Sequence, residues 1–199
     1  MTVFQESGLL FEFADGNCFH IEKDPLVTNG CSSTSNNMAC ECVSVIDKRH
    51  CFIEAKMSAP RGPGGNVKDL RLNGKSIPST WTAFDNYTTF LRNISKKFID
   101  SFSILLSLSQ GRHGSERLKA IQLPDKHLNF DRLRFILIIN FTVSPGHYID
   151  KQSMSVLQDA LKNEMRPFLK IWNIPDTSVK VVLPEDAYRL LKVPVRLSS

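Results

Sequence analysis

Long apolar runs are missing from this chain of 199 residues: its longest, "SILLSL" at 103–108 and "FILIINF" at 135–141, fall far short of the ~20 residues that cross a bilayer. A membrane-spanning role is therefore not expected. The start, "MTVFQESGLLFEF", has no basic opening and no apolar middle of the secretory kind, and Glu6 sits where such a leader avoids acid. A cytoplasmic location is expected by default, and the Asn-x-Ser/Thr matches at Asn86, Asn93 and Asn140 then carry no meaning as glycan acceptors. Cysteine pairs are missing too. Cys18, Cys31, Cys40, Cys42 and Cys51 are odd in number and form no C-x-x-C, which argues against both a disulfide framework and a structural zinc site. They are expected as reduced, mostly buried thiols. There is also no phosphate-cradling loop, because "RGPGGN" has neither the glycine spacing nor the Lys-Ser/Thr pair that such a loop needs.

What is present fits one globular domain. Apolar residues make up 42% of the chain, enough for a sizeable core, and the net charge of +5 is compatible with a polyanionic partner. Asp15-Gly16, between "GLLFEF" and "CFHIEKD", signals an N-terminal hairpin over 8–27, since primed turns need positive φ. After the polar stretch "TNGCSSTSNN", a second pair of strands is expected on either side of "DKRH", in "MACECVSVID" and "HCFIEAKMS". Residues 61–80, rich in Gly and Pro, are too long for an ordinary connection and read as a functional or mobile basic loop carrying Arg61, Lys68, Arg71 and Lys75.

Phe84, Tyr87, Leu91, Ile94, Phe98, Phe102 and Leu105 recur at helical spacing, predicting a long helix over about 83–109 with one face in the core. "RLRFILIINFTV" reads as a central strand covered on both faces. A second helix is expected over about 151–172, capped by Asp150 or Ser153 and kinked by Pro167, then a strand in "SVKVVLP" and a short helix in "PEDAYRLL". The order ββββαβαβα implies a single α/β domain over 1–199, with a central mixed sheet flanked by helices and its core at 38–183.

The chemistry is concentrated in "CECVSVIDKRHCFIEAKMSAP", residues 40–60, where Glu41, Glu54 and Lys56 interrupt a sequence that reads as buried sheet. A turn about Lys48 and Arg49 sets Glu41 opposite Lys56 and Val43 opposite Glu54, so that all three charges share one face. Two carboxylates brought together repel unless a cation lies between them. Mg²⁺ or Mn²⁺ suits such oxygens, with the Ala55 carbonyl as a further ligand, and Lys56 is placed to orient water or meet developing charge. The plain alternative is a cross-strand ion pair worth under about 1 kcal/mol if exposed.

Glu41, twelve intervening residues, then Glu54-Ala55-Lys56 within "FIEAK" resembles the active-site signature of the PD-(D/E)XK, or restriction-endonuclease-like, nuclease superfamily. The resemblance covers about 38–143. It implies a hairpin carrying the acid and the E-x-K, followed by a helix and a further strand. It also implies Glu41 and Glu54 as metal ligands, Lys56 as the catalytic lysine, and phosphodiester hydrolysis as the activity. The chain departs from the pattern in having Ala39-Cys40-Glu41 for the Pro-Asp element and an opening hairpin in place of a helix. Glu12 and Glu22 are both open as a further acid.

Four cations between 61 and 75 place phosphate-binding charge a few residues beyond Lys56, with Arg92, Lys96, Lys97, Arg112, His113, Arg117 and Lys119 as an extension of that surface. Nucleic acid is the expected partner, DNA ahead of RNA, and duplex or structured substrate is favoured because no basic strand interleaved with aromatics offers to stack single-stranded bases. The rival reading is a non-catalytic α/β interaction protein that binds a protein or nucleic-acid partner through the basic loop or a sheet edge, or pairs as a homodimer.

Overall fold

The computed structural model describes residues 1–23, 38–57, 59, 71–72, 75–76, 79–112, 123, 128–140 and 151–197. Alternating burial along short β-branched and aromatic runs produces the first elements, β1 (Thr2–Glu6) and β2 (Leu9–Phe13). They form an antiparallel hairpin whose two turn residues, Ser7 (φ 50) and Gly8 (φ 72), both lie in the left-handed region that primed turns require. This corrects the hairpin expected about Asp15-Gly16. That turn exists, with Asn17 N–H donating to the Ala14 carbonyl at 3.0 Å, but the chain leaving it enters a different sheet. Dihedral preference marks a turn without saying which strand receives the chain.

That second sheet is formed by β3 (Cys18–Phe19), β4 (Cys42–Ile46), β5 (Arg49–Lys56), β8 (Leu133–Ile139) and β9 (Val179–Val182), in that spatial order. β4 runs antiparallel to β3 and β5, whereas β5, β8 and β9 are mutually parallel. Parallel neighbours need crossovers, and two helices supply them: α1 (Ser79–Ser109) between β5 and β8, and α2 (Lys151–Ile171) between β8 and β9. A small ladder of β6 (Arg71–Leu72) and β7 (Lys75–Ser76) precedes α1. The chain closes with α3 (Pro184–Leu191), which has proline in its first turn as expected, and with β10 (Val195–Leu197). β10 pairs with β2 and completes a three-stranded sheet, β1-β2-β10.

Three layers result. On one face of the five-stranded sheet, Phe52, Phe135, Leu137, Ile139, Val43 and Val181 pack against the apolar stripe of α1 and against Leu157, Leu161, Met165 and Leu169 of α2. On the other, Cys42, Cys51, Ile53, Ala55, Ile136 and Ile138 meet Leu9, Phe11 and Phe13 of the small sheet and Ala187 and Leu191 of α3. The expected stripe of α1 is buried from Tyr87 to Leu105, and β8 is buried on both faces, as a central parallel strand should be. The fold is thus α/β, with a mixed sheet flanked by helices. Among the described residues no helix is long and apolar enough to cross a membrane.

Candidate active site

The hairpin β4–β5 turns at Asp47 (φ 50) and Lys48 (φ 61), one residue earlier than expected, with Ile46 opposite Arg49 and Cys42 opposite Ile53. Asp47 tolerates the left-handed region through its short polar side chain, and the Lys192 ammonium holds its carboxylate at 2.6 Å. The correction moves the register by two residues. A slip of two keeps every side chain on its expected face, where a slip of one would have exchanged the faces. Carried one step beyond Cys42 and Ile53, the same register sets Glu41 against Glu54 instead of Lys56. The two carboxyl groups are therefore nearer to each other than the sequence implied.

Both are inside the protein: Glu54 is fully buried and Glu41 is 5% exposed. Lys56, two residues along β5 from Glu54, returns its ammonium to Glu54 Oε1 at 2.6 Å and to Glu41 Oε1 at 3.5 Å. A second ammonium comes from α1. Lys97 Nζ lies 2.9 Å from Glu54 Oε1, 3.7 Å from Glu41 Oε1 and 3.8 Å from Glu22 Oε1. Glu22, on the single helical turn Ile21–Lys23, also hydrogen-bonds the Glu41 carboxyl group. Glu22 therefore joins the cluster. Glu12 does not, since it lies on β2 of the other sheet, 3.9 Å from Arg196.

Burial is the main influence on Glu41 and, with the Glu22 hydrogen bond and the Glu54 charge, pushes its carboxyl up to about 8 against the pull of Lys97. Lys97 is also raised, but by charge and not by burial. Burial, the largest influence, draws its ammonium down, yet Glu54, Glu41 and Glu22 together outweigh this and hold it at about 12. Both ammonium groups lie against Glu54 Oε1 as ion pairs, yet neither oxygen of this buried group has a hydrogen-bond partner among the described residues.

The backbone around the cluster is tied at three points. Cys40 N–H donates to Ser101 Oγ at 2.8 Å, and the same hydroxyl donates to the Lys97 carbonyl at 2.7 Å, which pins α1 to the segment leading into Glu41. Asn140, just after β8, donates its backbone N–H to the Lys56 carbonyl at 2.7 Å and its side-chain amide to the Ser7 carbonyl at 2.8 Å. The Ser7 hydroxyl donates to the Ala55 carbonyl at 2.9 Å, so that oxygen is already engaged. The site thus sits at the carboxyl ends of the parallel strands β5 and β8, the end where open α/β sheets present ligand-binding groups.

Of the expected substrate-binding cations, Arg61 and Lys68 lie outside the described residues. Arg71 and Lys75 fall on β6 and β7, their side chains not among those described. Lys96 faces outward to Asp100 at 2.6 Å, whereas its neighbour Lys97, read from the sequence as part of the same outer surface, points in. A signal was available: position 97 is three residues beyond Ile94 and four before Ser101, both buried on the same helix. Cys18, Cys40, Cys42 and Cys51 are free and buried as expected, and Cys31 lies outside the described residues. Burial pushes the Cys51 thiol up to about 12 and the Cys40 and Cys42 thiols well above their ordinary value, so they are neutral fillers of the core.

Among the described residues no group of three or more His, Cys, Asp and Glu side chains forms a ready cation cage. Mg²⁺ does not need one, being held typically by one or two carboxylates with water in the rest of its shell. The hard oxygens of Glu41 and Glu54, with Oε2 of Glu54 lacking a partner, fit that requirement. No protein-family model matches the chain, and no solved structure matches it.

Proposed function

We propose that this protein is a metal-dependent nuclease of restriction-endonuclease-like type that hydrolyses phosphodiester bonds of nucleic acid. The observation that carries the reading is Glu54: a fully buried carboxylate beside a second one, Glu41, with Lys56 on the same strand and neither oxygen given a hydrogen-bond partner among the described residues. Burying a carboxylate is costly unless it is both paired and hydrogen-bonded, and here Glu54 has ion pairs with Lys56 and Lys97 but no hydrogen-bond partner among the described residues. The order of hairpin, helix and parallel strand (β4–β5, α1, β8) supports the same reading, because it is the order that the resemblance implies.

Glu41 and Glu54 would hold Mg²⁺ or Mn²⁺, with the Ala55 carbonyl as the weakest of three oxygens because it already accepts from Ser7. Such an ion, when bound, supplies Lewis-acid polarisation of a phosphate and a more acidic water. The chain's own contribution lies in its ammonium groups. Lys56, at 31% exposure, is the member of the cluster that can leave Glu54, meet a phosphate oxygen and orient the attacking water. Arg61, Lys68, Arg71 and Lys75, close in sequence to Lys56, are assigned to the substrate backbone, DNA ahead of RNA.

The test is cleavage of a broad panel of DNA and RNA substrates in Mg²⁺ or Mn²⁺ by wild type, Glu54→Ala and Lys56→Ala. Metal-dependent cutting should fall by about 100-fold or more in both variants. Glu54→Ala should also lose divalent binding in calorimetry, and Lys56→Ala should keep it. A wild type that binds no divalent ion and cuts nothing removes the reading. In that event the ammonium groups of Lys56 and Lys97 on Glu54 favour the second one, a non-catalytic interaction protein whose charged cluster is an internal ion-pair network.

A further inference from the structure

We propose that Lys97 is a positioning residue of this site, an internal counter-ion from α1 that holds Glu22, Glu41 and Glu54 converged and yields its place to a divalent cation. The inference rests on the reading of Glu41 and Glu54 as metal ligands. Three observations carry it. Lys97 Nζ reaches all three carboxylates within 4 Å, at 2.9, 3.7 and 3.8 Å, whereas Lys56 Nζ reaches two of them. Its side chain is only 12% exposed, less than half the exposure of Lys56, so its charge has no comparable access to water. Ser101 then fixes it, bonding the Lys97 carbonyl with its own hydrogen and receiving Cys40 N–H, one residue before Glu41.

The arrangement satisfies charge without satisfying geometry. Lys97 and Lys56 both lie within ion-pair distance of Glu54 Oε1, yet neither oxygen of this fully buried group has a hydrogen-bond partner among the described residues. Two ammonium groups therefore already occupy the carboxyl cluster, and a divalent ion arriving at Glu41 and Glu54 meets an ammonium within 4 Å of each. Like charges at that separation in a poorly screened interior repel strongly. Binding of the ion and retention of Lys97 at Glu54 consequently oppose each other, while the flexible four-carbon stem of lysine lets the ammonium withdraw toward Glu22 without moving the helix.

The experiment is Mn²⁺ titration, by calorimetry, of wild type, Lys97→Met, Lys97→Arg and Glu54→Gln. Lys97→Met, which keeps the length and loses the charge, should bind Mn²⁺ roughly tenfold more tightly or better, and Lys97→Arg should stay near wild type. Glu54→Gln should abolish binding. If wild type binds and Lys97→Met binds equally or more weakly, the counter-ion role is overturned and the metal reading stands. If neither wild type nor Lys97→Met binds, both fall. Should Lys97→Met not fold, acetylation of wild-type lysines followed by mass spectrometry decides: Lys97 should react slowly alone and several-fold faster with Mg²⁺, and an unchanged rate overturns the proposal.

Discussion

The two faces of the hairpin β4–β5 are built from alternate residues of the same strands, yet only one buries charged side chains. Toward the small sheet and α3 the strands present Cys42, Cys51, Ile53 and Ala55, which pack with Phe11, Phe13 and Ile136 into a dry core. Toward α1 they present Val43, Val45 and Phe52 near the turn and then, at the open end, Glu41, Glu54 and Lys56. The chain can therefore fill this depth with apolar side chains, and does so on one side. Its use of three carboxyl groups and two ammonium groups at the corner under α1 is a local departure, gathered at the carboxyl ends of β5 and β8. Departures of this kind mark functional sites more often than they mark stability.

The largest expected effect comes from erasing the difference between the faces. Ile53→Asp places an unpaired carboxylate in the dry core and should cost roughly 5 kcal/mol or more, enough to unfold a domain of ordinary stability; loss of the cooperative urea transition is the readout. Next is Glu54→Ala in metal-free protein, which strips Lys97 of its nearest partner and should cost about 3–5 kcal/mol in the same assay. Combining Glu54→Leu with Lys97→Met should return most of that stability, since an apolar replacement of a whole buried pair is often neutral or better. If the double variant is as unstable as the single one, the corner depends on its charges for more than mutual satisfaction.

A smaller effect follows from Glu41, which faces Glu22, Glu54, Lys56 and Lys97. Its carboxyl is raised from 4.5 to about 8, so between those values the folded chain holds a proton that the unfolded chain has released. Stability should therefore decline as pH rises through that window, by less than about 1.4 kcal/mol per unit, and Glu41→Gln should flatten the decline. A slope unchanged in Glu41→Gln assigns the titration elsewhere. The smallest effect is on the dry face, where Cys42→Ala should cost only ~1 kcal/mol and leave divalent binding untouched.

The charged corner could be read from sequence to the extent that parity decides it. Period-two alternation places Glu41, Glu54 and Lys56 on one face whichever of two registers the hairpin adopts, so an error of two residues in pairing did not disturb the site. The buried stripe of α1, from Tyr87 to Leu105, and the double-sided burial of β8 were legible for the same reason, as periodicities of one element. What failed was long-range. Asp15-Gly16 makes a turn, but sends the chain to β4 rather than back to β2, and β10 finds β2 across nearly the whole sequence. Lys97 and Glu22 could be placed at the corner only once α1 and the turn Ile21–Lys23 were known to converge there. The spacing of Lys97 from Ile94 and Ser101 marks it as facing inward, but no pattern within either segment says what it meets there.

The most direct measurement is a crystal structure of the protein soaked in Mn²⁺, read by the anomalous difference map. The expectation is a peak between the carboxyl groups of Glu41 and Glu54, with Oε2 of Glu54 among the ligands and the Lys97 ammonium drawn back from Oε1. A map at saturating Mn²⁺ with no peak there, and with Lys56 and Lys97 still paired to Glu54, would contradict it.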